Sequence, residues 1–215
     1  MENAEQTEKP IKNHRNVTKF IVRVAIFGAI SAILYIVPFL KFPVPIFPSF
    51  LEFHFDEIPA FIAGFAYGPF AAIGVLLVKT IIKLPFTSTL TVGELSDLLF
   101  SAAFIIPASL IYQKRRRISG ALIGLLIGTV AQLIVSVVMN VYVMVPFYGF
   151  MFGLSEEALL NICQNANPNI QDVKWSYGLL AVLPFNAIKD TAVIIVTFFV
   201  YKPLHTLIDK IQYKE

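Results

Sequence analysis

The stretch that decides the fold lies near the end of the chain and reads Leu183-Pro184-Phe185-Asn186-Ala187-Ile188-Lys189-Asp190-Thr191-Ala192-Val193-Ile194-Ile195. An amide, an amine and a carboxylate interrupt an otherwise apolar run. Asn186 precedes Lys189 by three residues and Asp190 by four, so a helix carries all three side chains on one face. Against lipid, each charge would cost about 2.5–3.5 kcal/mol. The stretch therefore predicts a membrane helix whose polar face points into a bundle or a cavity, and it marks a candidate site.

Composition extends this prediction to the whole chain. Of the 215 residues, 57% are hydrophobic and 14% are charged, whereas a soluble domain has about 25% charged residues. The alternating pattern of barrel strands is absent over most of the sequence. We therefore predict an all-α integral membrane protein. The net charge of +3 is too small to indicate nucleic-acid binding, and the single cysteine, Cys163, excludes an intrachain disulfide.

Six transmembrane helices are predicted from the apolar runs and their proline and glycine boundaries. They cover about residues 19–39, 56–68, 69–84, 91–112, 119–145 and 175–201, and the second is short. Between the first two, the segment 51–56 (LEFHFD) alternates apolar and polar residues, which predicts a short extended strand. A polar loop follows Pro146. The chain thus divides into an N-terminal tail (1–18), a membrane domain (19–203) and a C-terminal tail (204–215).

The distribution of positive charge predicts the orientation in the membrane. Basic residues lie in the N-terminal tail, in the run Lys114-Arg115-Arg116-Arg117 and, near the C-terminus, at Lys202, Lys210 and Lys214. An even number of spans puts all three groups on one side, and the positive-inside rule makes that side cytoplasmic. We prefer this role for the basic run over nucleic-acid or acidic-lipid binding. No cleaved signal peptide is recognised, so the first helix is expected to direct insertion.

Two other helices carry polar groups. Thr129, Gln132, Ser136 and Asn140 form one stripe on the fifth helix. Interhelical hydrogen bonding explains the first three, whereas Asn140 fits that role and a ligand contact equally well.

On the fourth helix, Glu94 suits an N-terminal acidic cap, and Asp97 lies one turn deeper. An ion pair between Lys189 and Asp190, Asp97 or Glu94 is one expected arrangement. Carboxamides and an amine that converge with Phe and Tyr side chains suit a flat, uncharged ligand with a polar edge.

The first helix carries a stripe of small residues: Ala25, Gly28, Ala29 and Ala32. Such a stripe lets helices approach closely. Packing inside the bundle and docking of a second membrane protein both remain open.

Enzyme signatures are missing from the sequence. The chain has no GxxxxGK[ST] phosphate loop, and no nucleophile with a nearby base stands out. His14, His54, His205 and Cys163 lack metal-ligand spacing. We therefore predict neither an enzyme nor a metal site, and energy for any uphill transport must come from a partner or an ion gradient.

Several segments resemble the substrate-binding S components of energy-coupling factor (ECF) vitamin transporters, and specifically their riboflavin-specific members. They are Ala25–Ala29, Phe53–Ala60, Gly64–Pro69, Gly93–Leu95, and Asn186 with Lys189-Asp190. The resemblance extends from about Val24 to Leu204. The segment FHFDEIPA followed by GFAYGP is its most specific part.

The resemblance implies six helices and one riboflavin near the outer face, without a resident cofactor; flavin mononucleotide stays open as an alternative ligand. It implies Asn140, Asn186 and Lys189 as polar contacts, with Glu94 and Phe53 beside them. Asp190 is counted with this site, although a counter-charge to Lys189 is its preferred role.

The implied partners are a membrane T component, which docks on the stripe at Ala25 and Ala29, and two cytoplasmic ATPases, in a bacterial plasma membrane. An S component for another vitamin and a structural membrane subunit are the alternatives.

Overall fold

The computed structural model describes the backbone of residues 11–212 and the side chains of residues 16–201. Within these limits the α-helices are α1 Ile11–Ile36, α2 Glu57–Tyr67, α3 Pro69–Lys83, α4 Val92–Lys114, α5 Ile118–Met139, α6 Val145–Phe152, α7 Glu156–Ala166, α8 Trp175–Tyr177 and α9 Leu183–Gln212. Two π-helical turns, Asn140–Met144 and Gly178–Val182, join α5 to α6 and α8 to α9. Short 3₁₀ turns cover Pro38–Leu40 and Leu84–Phe86.

The predicted six-helix architecture is confirmed in this part of the chain. Five helical stretches are long and apolar enough to cross a membrane: Asn16–Ile36, Pro69–Phe86, Val92–Lys114, Ile118–Phe152 and Trp175–Tyr201. The sixth is α2, an apolar helix of 11 residues. It ends at Gly68, whose φ of +96° favours glycine, and Pro69 then starts α3 where a missing N–H is tolerated.

Helix ends differ from the prediction at both termini. The first helix begins at Ile11 instead of near residue 19, and the last continues to Gln212. The predicted tails 1–18 and 204–215 are thus helical over 11–18 and 204–212. Residues 1–10 and 213–215 lie outside the described structure, as do the side chains of His14, Lys202, His205, Lys210 and Lys214.

The prediction that the fifth helix ends at Pro146 is wrong. The helix continues to Phe152 because a π turn precedes the proline, and the Val145 N–H donates to the Asn140 carbonyl. Pro146 then falls in the first turn of the next helical segment, where its missing N–H costs little. A second π turn has the same effect before α9. There the Leu183 N–H donates to the Gly178 carbonyl, and Pro184 follows in the first turn of the helix.

Two apolar clusters hold the bundle together. One joins α2, α3 and α4, where the rings of Phe61 and Phe104 meet edge to face at 4.6 Å. Close approach of α4 and α5 depends on glycine: a Cβ at Gly128 would lie 2.1 Å from the Phe104 carbonyl oxygen. The other cluster packs residues of the segment 47–55 against α5, α7 and α9, with Phe47 edge-on to Phe185 at 5.3 Å.

The segment between α1 and α2 forms a small hairpin, which confirms the predicted extended strand. Strand β1 (Phe42–Pro43) pairs antiparallel with β2 (Glu52–Phe53). Lys41 and Glu52 form an exposed ion pair at 2.6 Å, and the rings of Phe42 and Phe53 stack at 5.5 Å.

The loop after α6, predicted only as polar, contains the amphipathic helix α7. Ser155 caps α7 by accepting from the Ala158 N–H at 3.2 Å, and burial raises the pKa of the Cys163 thiol to about 11.

Candidate ligand-binding site

A cavity opens at the end of the bundle that is covered by the β1–β2 hairpin. Its volume is about 150 Å³, inside a cleft of about 840 Å³ that includes the open solvent at the mouth. Four of the predicted site residues line it: Asn140, Asn186, Lys189 and Glu94. Phe185, Tyr148 and Phe100 supply aromatic walls. The cavity therefore combines amides, an amine and aromatic rings, as the sequence predicted.

Asn186 is held in place by two hydrogen bonds. Its amide nitrogen donates to the Val182 carbonyl at 2.8 Å, and its oxygen accepts from the Gln132 amide at 3.0 Å. The second bond crosses from α5 to α9, which confirms Gln132 as an interhelical contact. A carboxamide has two N–H donors and two lone pairs, so Asn186 keeps one of each for a ligand.

Asn140 has an equivalent arrangement in the π turn after α5. Its nitrogen donates to the Ser136 carbonyl at 2.9 Å, and its oxygen accepts from the Tyr177 hydroxyl at 3.2 Å. A π turn often marks a functional site because it redirects the side chains at its start. The Ser136 hydroxyl instead donates within its own helix, to the Leu133 carbonyl at 3.0 Å.

The ammonium group of Lys189 pairs with Glu57, not with the three carboxylates that the sequence suggested. The Nζ–Oε1 distance is 3.1 Å, and the His54 Nε2 lies 3.4 Å from the same nitrogen. An ammonium group has three donors, and these two contacts leave one donor for the cavity. Glu57 begins α2, so this pair ties α2 to α9 beneath the cavity.

A second buried lysine, Lys79, lies near the end of α3. Its ammonium group contacts Asp56, Asp97 at 2.9 Å and the Ser101 hydroxyl at 3.2 Å. His54 connects the two lysines, since its Nδ1 contacts Asp56. Lys79 lies in the apolar run LLVKTII (76–82), so burying its charge costs as much as burying that of Lys189. This cost could have marked Lys79 as a second buried charge from the sequence alone.

Glu94 lies in the first turn of α4 and accepts from two hydroxyl groups. Thr87 contacts its Oε2 at 2.8 Å and Thr89 at 3.0 Å. The acidic residue at this helix start agrees with the predicted cap. Because Glu94 also lines the cavity, it organises the loop before α4 at the rim.

Two predicted ligand contacts, Phe53 and Asp190, are absent from the cavity wall. Phe53 is buried between Phe42, Phe55 and Phe185, where it anchors the hairpin. Asp190 is fully buried, and neither carboxylate oxygen has a hydrogen-bond partner among the described residues.

Potential metal ligands do converge, although their spacing in the sequence did not indicate it. One donor atom each from His54, Asp56 and Asp97 lies within 4.8 Å of the others. Lys79, however, contacts both carboxylates, so its ammonium group already supplies the positive charge there. The chemistry of this cluster is that of a buried ion-pair network.

The small-residue stripe on α1 is divided between two faces. Gly28 and Ala32 are buried, and a Cβ at Gly28 would lie 2.5 Å from the Val78 Cγ1 atom. This half packs inside the bundle against α3. Ala25 and Ala29 are exposed, so only these two belong to an outward-facing surface.

Comparison with known proteins places the cavity in a family context. The family model of the ECF transporter substrate-specific component matches residues 19–201. The riboflavin transporter RibU of Staphylococcus aureus is 31% identical over 189 residues, which cover 88% of this chain and 93% of that protein. The riboflavin transporter FmnP of Bacillus subtilis is 25% identical over 194 residues, with coverage of 88% and 95%.

A solved structure supports the same relationship. The S component of a bacterial ECF transporter superposes with a TM-score of 0.69 at 29% sequence identity. The match covers 88% of this chain and 97% of that chain.

Proposed function

The chain belongs to the substrate-specific components of ECF transporters, and we propose that it captures riboflavin at the outer face of the membrane for uptake through partner subunits. As a transporter component with several apolar helices, it is a multi-pass protein of a bacterial membrane. The names of its relatives RibU and FmnP support riboflavin as the ligand.

One observation carries the proposal: the unused hydrogen-bonding groups at the cavity match the polar edge of a flavin ring. That edge presents carbonyl oxygens and a ring N–H. Lys189 keeps one donor, and Asn140 and Asn186 each keep a donor and a lone pair. Phe185 and Tyr148 supply aromatic surface for the rest of the ring system.

The hairpin is proposed to act as a lid. The cavity volume of about 150 Å³ is below the roughly 300–1,000 Å³ of typical small-molecule sites. Phe50, Leu51 and Glu52 form part of its wall, and the hairpin has only two short strands. Displacement of this segment would enlarge the site for a tricyclic ligand.

Energy for uptake is proposed to come from partners, because the sequence has no nucleotide-binding loop of its own. A membrane T component and two cytoplasmic ATPases fit the family. The exposed Ala25 and Ala29 on α1 are the proposed docking surface. Both termini are proposed to be cytoplasmic under the positive-inside rule.

An absorption spectrum of the purified protein in detergent tests the ligand. We expect a yellow protein with a flavin spectrum, and added riboflavin should lose fluorescence on binding with a dissociation constant below micromolar. A thermal-shift panel of vitamins is the control, since ligand at a hundred times its dissociation constant stabilises by about 2.7 kcal/mol. Stabilisation by another vitamin alone would identify a different S component, and no ligand at all would indicate a structural subunit.

Flavin mononucleotide is the alternative ligand to compare with riboflavin. Lys41 and Lys83 line the cavity and suit a phosphate group. Competition of the nucleotide against bound riboflavin, with wild type and the K83M variant, measures whether the phosphate is accepted. A nucleotide that competes equally with both proteins would exclude a role for Lys83.

A further inference from the structure

Asp190 is a buried carboxyl group that has no hydrogen-bond partner in the part of the chain that the structure describes. Its exposed fraction is zero, and neither oxygen accepts a hydrogen bond from any described residue. It interacts electrostatically with Glu57 and with Lys189. Glu57 has one oxygen of the same kind. Its Oε1 pairs with Lys189, whereas its Oε2 has no hydrogen-bond partner among the described residues.

Counting charges in the network leaves an excess of carboxyl groups. Four buried carboxyl groups belong to it because each interacts with Lys79 or Lys189: Asp56, Glu57, Asp97 and Asp190. The ammonium groups of Lys79 and Lys189 balance two of them.

His54 lies inside the same network, with its Nε2 also 3.8 Å from the Asp97 Oδ1. Its Nδ1 contacts the Asp56 carboxylate, and its Nε2 lies 3.4 Å from the Lys189 ammonium. Even a charged His54 would leave one carboxyl group unbalanced.

Among the described residues, Glu57 and Lys189 are the charged groups that act on Asp190. Helix α5 has no charged residue from Ile118 to Met139, and the buried group it contributes nearby is the neutral Gln132. Helix α2 contributes Glu57, and α9 itself contributes Lys189. An isolated ionised carboxylate in an apolar interior is so unfavourable that the group takes up a proton instead.

We propose that Asp190 and Glu57 form a proton-binding pair in which Asp190 holds the proton at neutral pH. Glu57 then carries the only full negative charge that faces Lys189 from this pair. A neutral Asp190 does not pull the ammonium group away from Glu57 and the cavity. Asp190 is thus a positioning residue for Lys189, the lysine that we propose contacts the ligand.

A side chain of this length can donate to its own helix in this fold. Asn186 on the same helix donates to the carbonyl four residues earlier, and so does Asn140 after α5. A neutral carboxyl group has one O–H donor. The amide of an Asn at position 190 would imitate this neutral form.

Infrared spectroscopy of the full-length protein in detergent at neutral pH tests the proposal. We expect the wild type to show the carbonyl band of a protonated carboxyl group, and the D190N variant to lack it while keeping the wild-type melting temperature. E57Q is the matched variant, because it removes the negative charge that pairs with Lys189. Its riboflavin affinity should fall about tenfold or more, equivalent to about 1.4 kcal/mol, and the loss in D190N should be smaller.

Two results would overturn the proposal. One is a wild-type spectrum whose protonated-carboxyl band is absent or survives unchanged in D190N. The other is a D190N protein that loses as much affinity or stability as E57Q, since Asp190 would then act through its charge. The affinity comparison rests on the proposed function, but the infrared band does not. A protein that binds no riboflavin yet shows the band would refute the function and leave the proton site standing.

Discussion

Two buried lysines of the bundle, Lys79 and Lys189, have the same chemistry and opposite settings. Lys79 uses its three donors on Asp56, Asp97 and Ser101, and none of its surface is exposed. Lys189 has acceptors for two donors, on Glu57 and His54, and it lines the cavity. A satisfied ammonium group holds helices together, whereas an ammonium group with a spare donor is available to a ligand.

This difference shows that charge inside a membrane helix does not by itself distinguish structure from function. Both lysines meet the same cost of leaving water, and both are offset by carboxylates. What separates them is the number of donors that the fold already uses. Substitutions in the Lys79 network should therefore lower stability, and those at Lys189 should lower ligand affinity.

The largest expected effect is on stability, from K79M. The variant leaves Asp56 and Asp97 buried without their common cation, and breaking a buried ion pair costs about 3–5 kcal/mol. Thermal unfolding in detergent, followed by intrinsic fluorescence, measures the loss. K189M is the comparison, because it strands only Glu57 and should cost less. Equal stability of K79M and wild type would remove the structural role of Lys79.

The next effect is on ligand affinity, from K189A. Loss of a hydrogen bond to a charged group costs about 1.5–3 kcal/mol, which is roughly tenfold to a hundredfold in the dissociation constant. N186A should lose about two- to tenfold in affinity, because a neutral hydrogen bond contributes about 0.5–1.5 kcal/mol. Riboflavin fluorescence quenching measures both. S136A is the control, since the Ser136 hydroxyl bonds within its own helix; equal losses in all three would contradict the assignment of the site.

A smaller effect is expected where the two networks touch. The Ser101 hydroxyl accepts from Lys79 at 3.2 Å and lies 3.4 Å from the Glu57 Oε1. S101A should lower the free energy of unfolding by about 0.5–1.5 kcal/mol, with less effect on riboflavin affinity than K189A. If affinity falls as much as in K189A, the two lysine networks act as a single unit.

The smallest effect is expected at the exposed pair of the lid. Lys41 and Glu52 lie 2.6 Å apart, and both are partly exposed, so the pair contributes about 0–1 kcal/mol. E52Q should change stability little and should alter the release rate of riboflavin by less than about fivefold. Stopped-flow release measures this rate. A loss of riboflavin affinity in E52Q as large as that in N186A would show that the Glu52 side chain contacts the ligand.

The sequence predicted the elements of this fold because the patterns that determine them are local. Apolar runs predicted six helices, and the alternation at 51–56 predicted β2. The spacing of Asn186 and Lys189 predicted a polar face that the cavity uses. These features depend on residues within one or two helical turns of each other.

Features that depend on distant residues were not predicted. Glu57 and Lys189 meet across 132 positions of the chain, and the nearer candidates Asp190, Asp97 and Glu94 do not form that pair. Pro146 suggested a helix end because the prediction did not include a π turn before it. The buried Lys79 was missed although its cost in an apolar helix equals that of Lys189.

The most direct test of this account is a riboflavin titration of the double variant E57Q/K189M. Removing both charges together avoids a stranded carboxylate, so we expect a folded protein with near-wild-type melting temperature. Its riboflavin affinity should nevertheless fall at least tenfold, because the spare donor of Lys189 is lost. Wild-type affinity in the folded double variant would contradict the claim that Lys189 is the lysine of the ligand site.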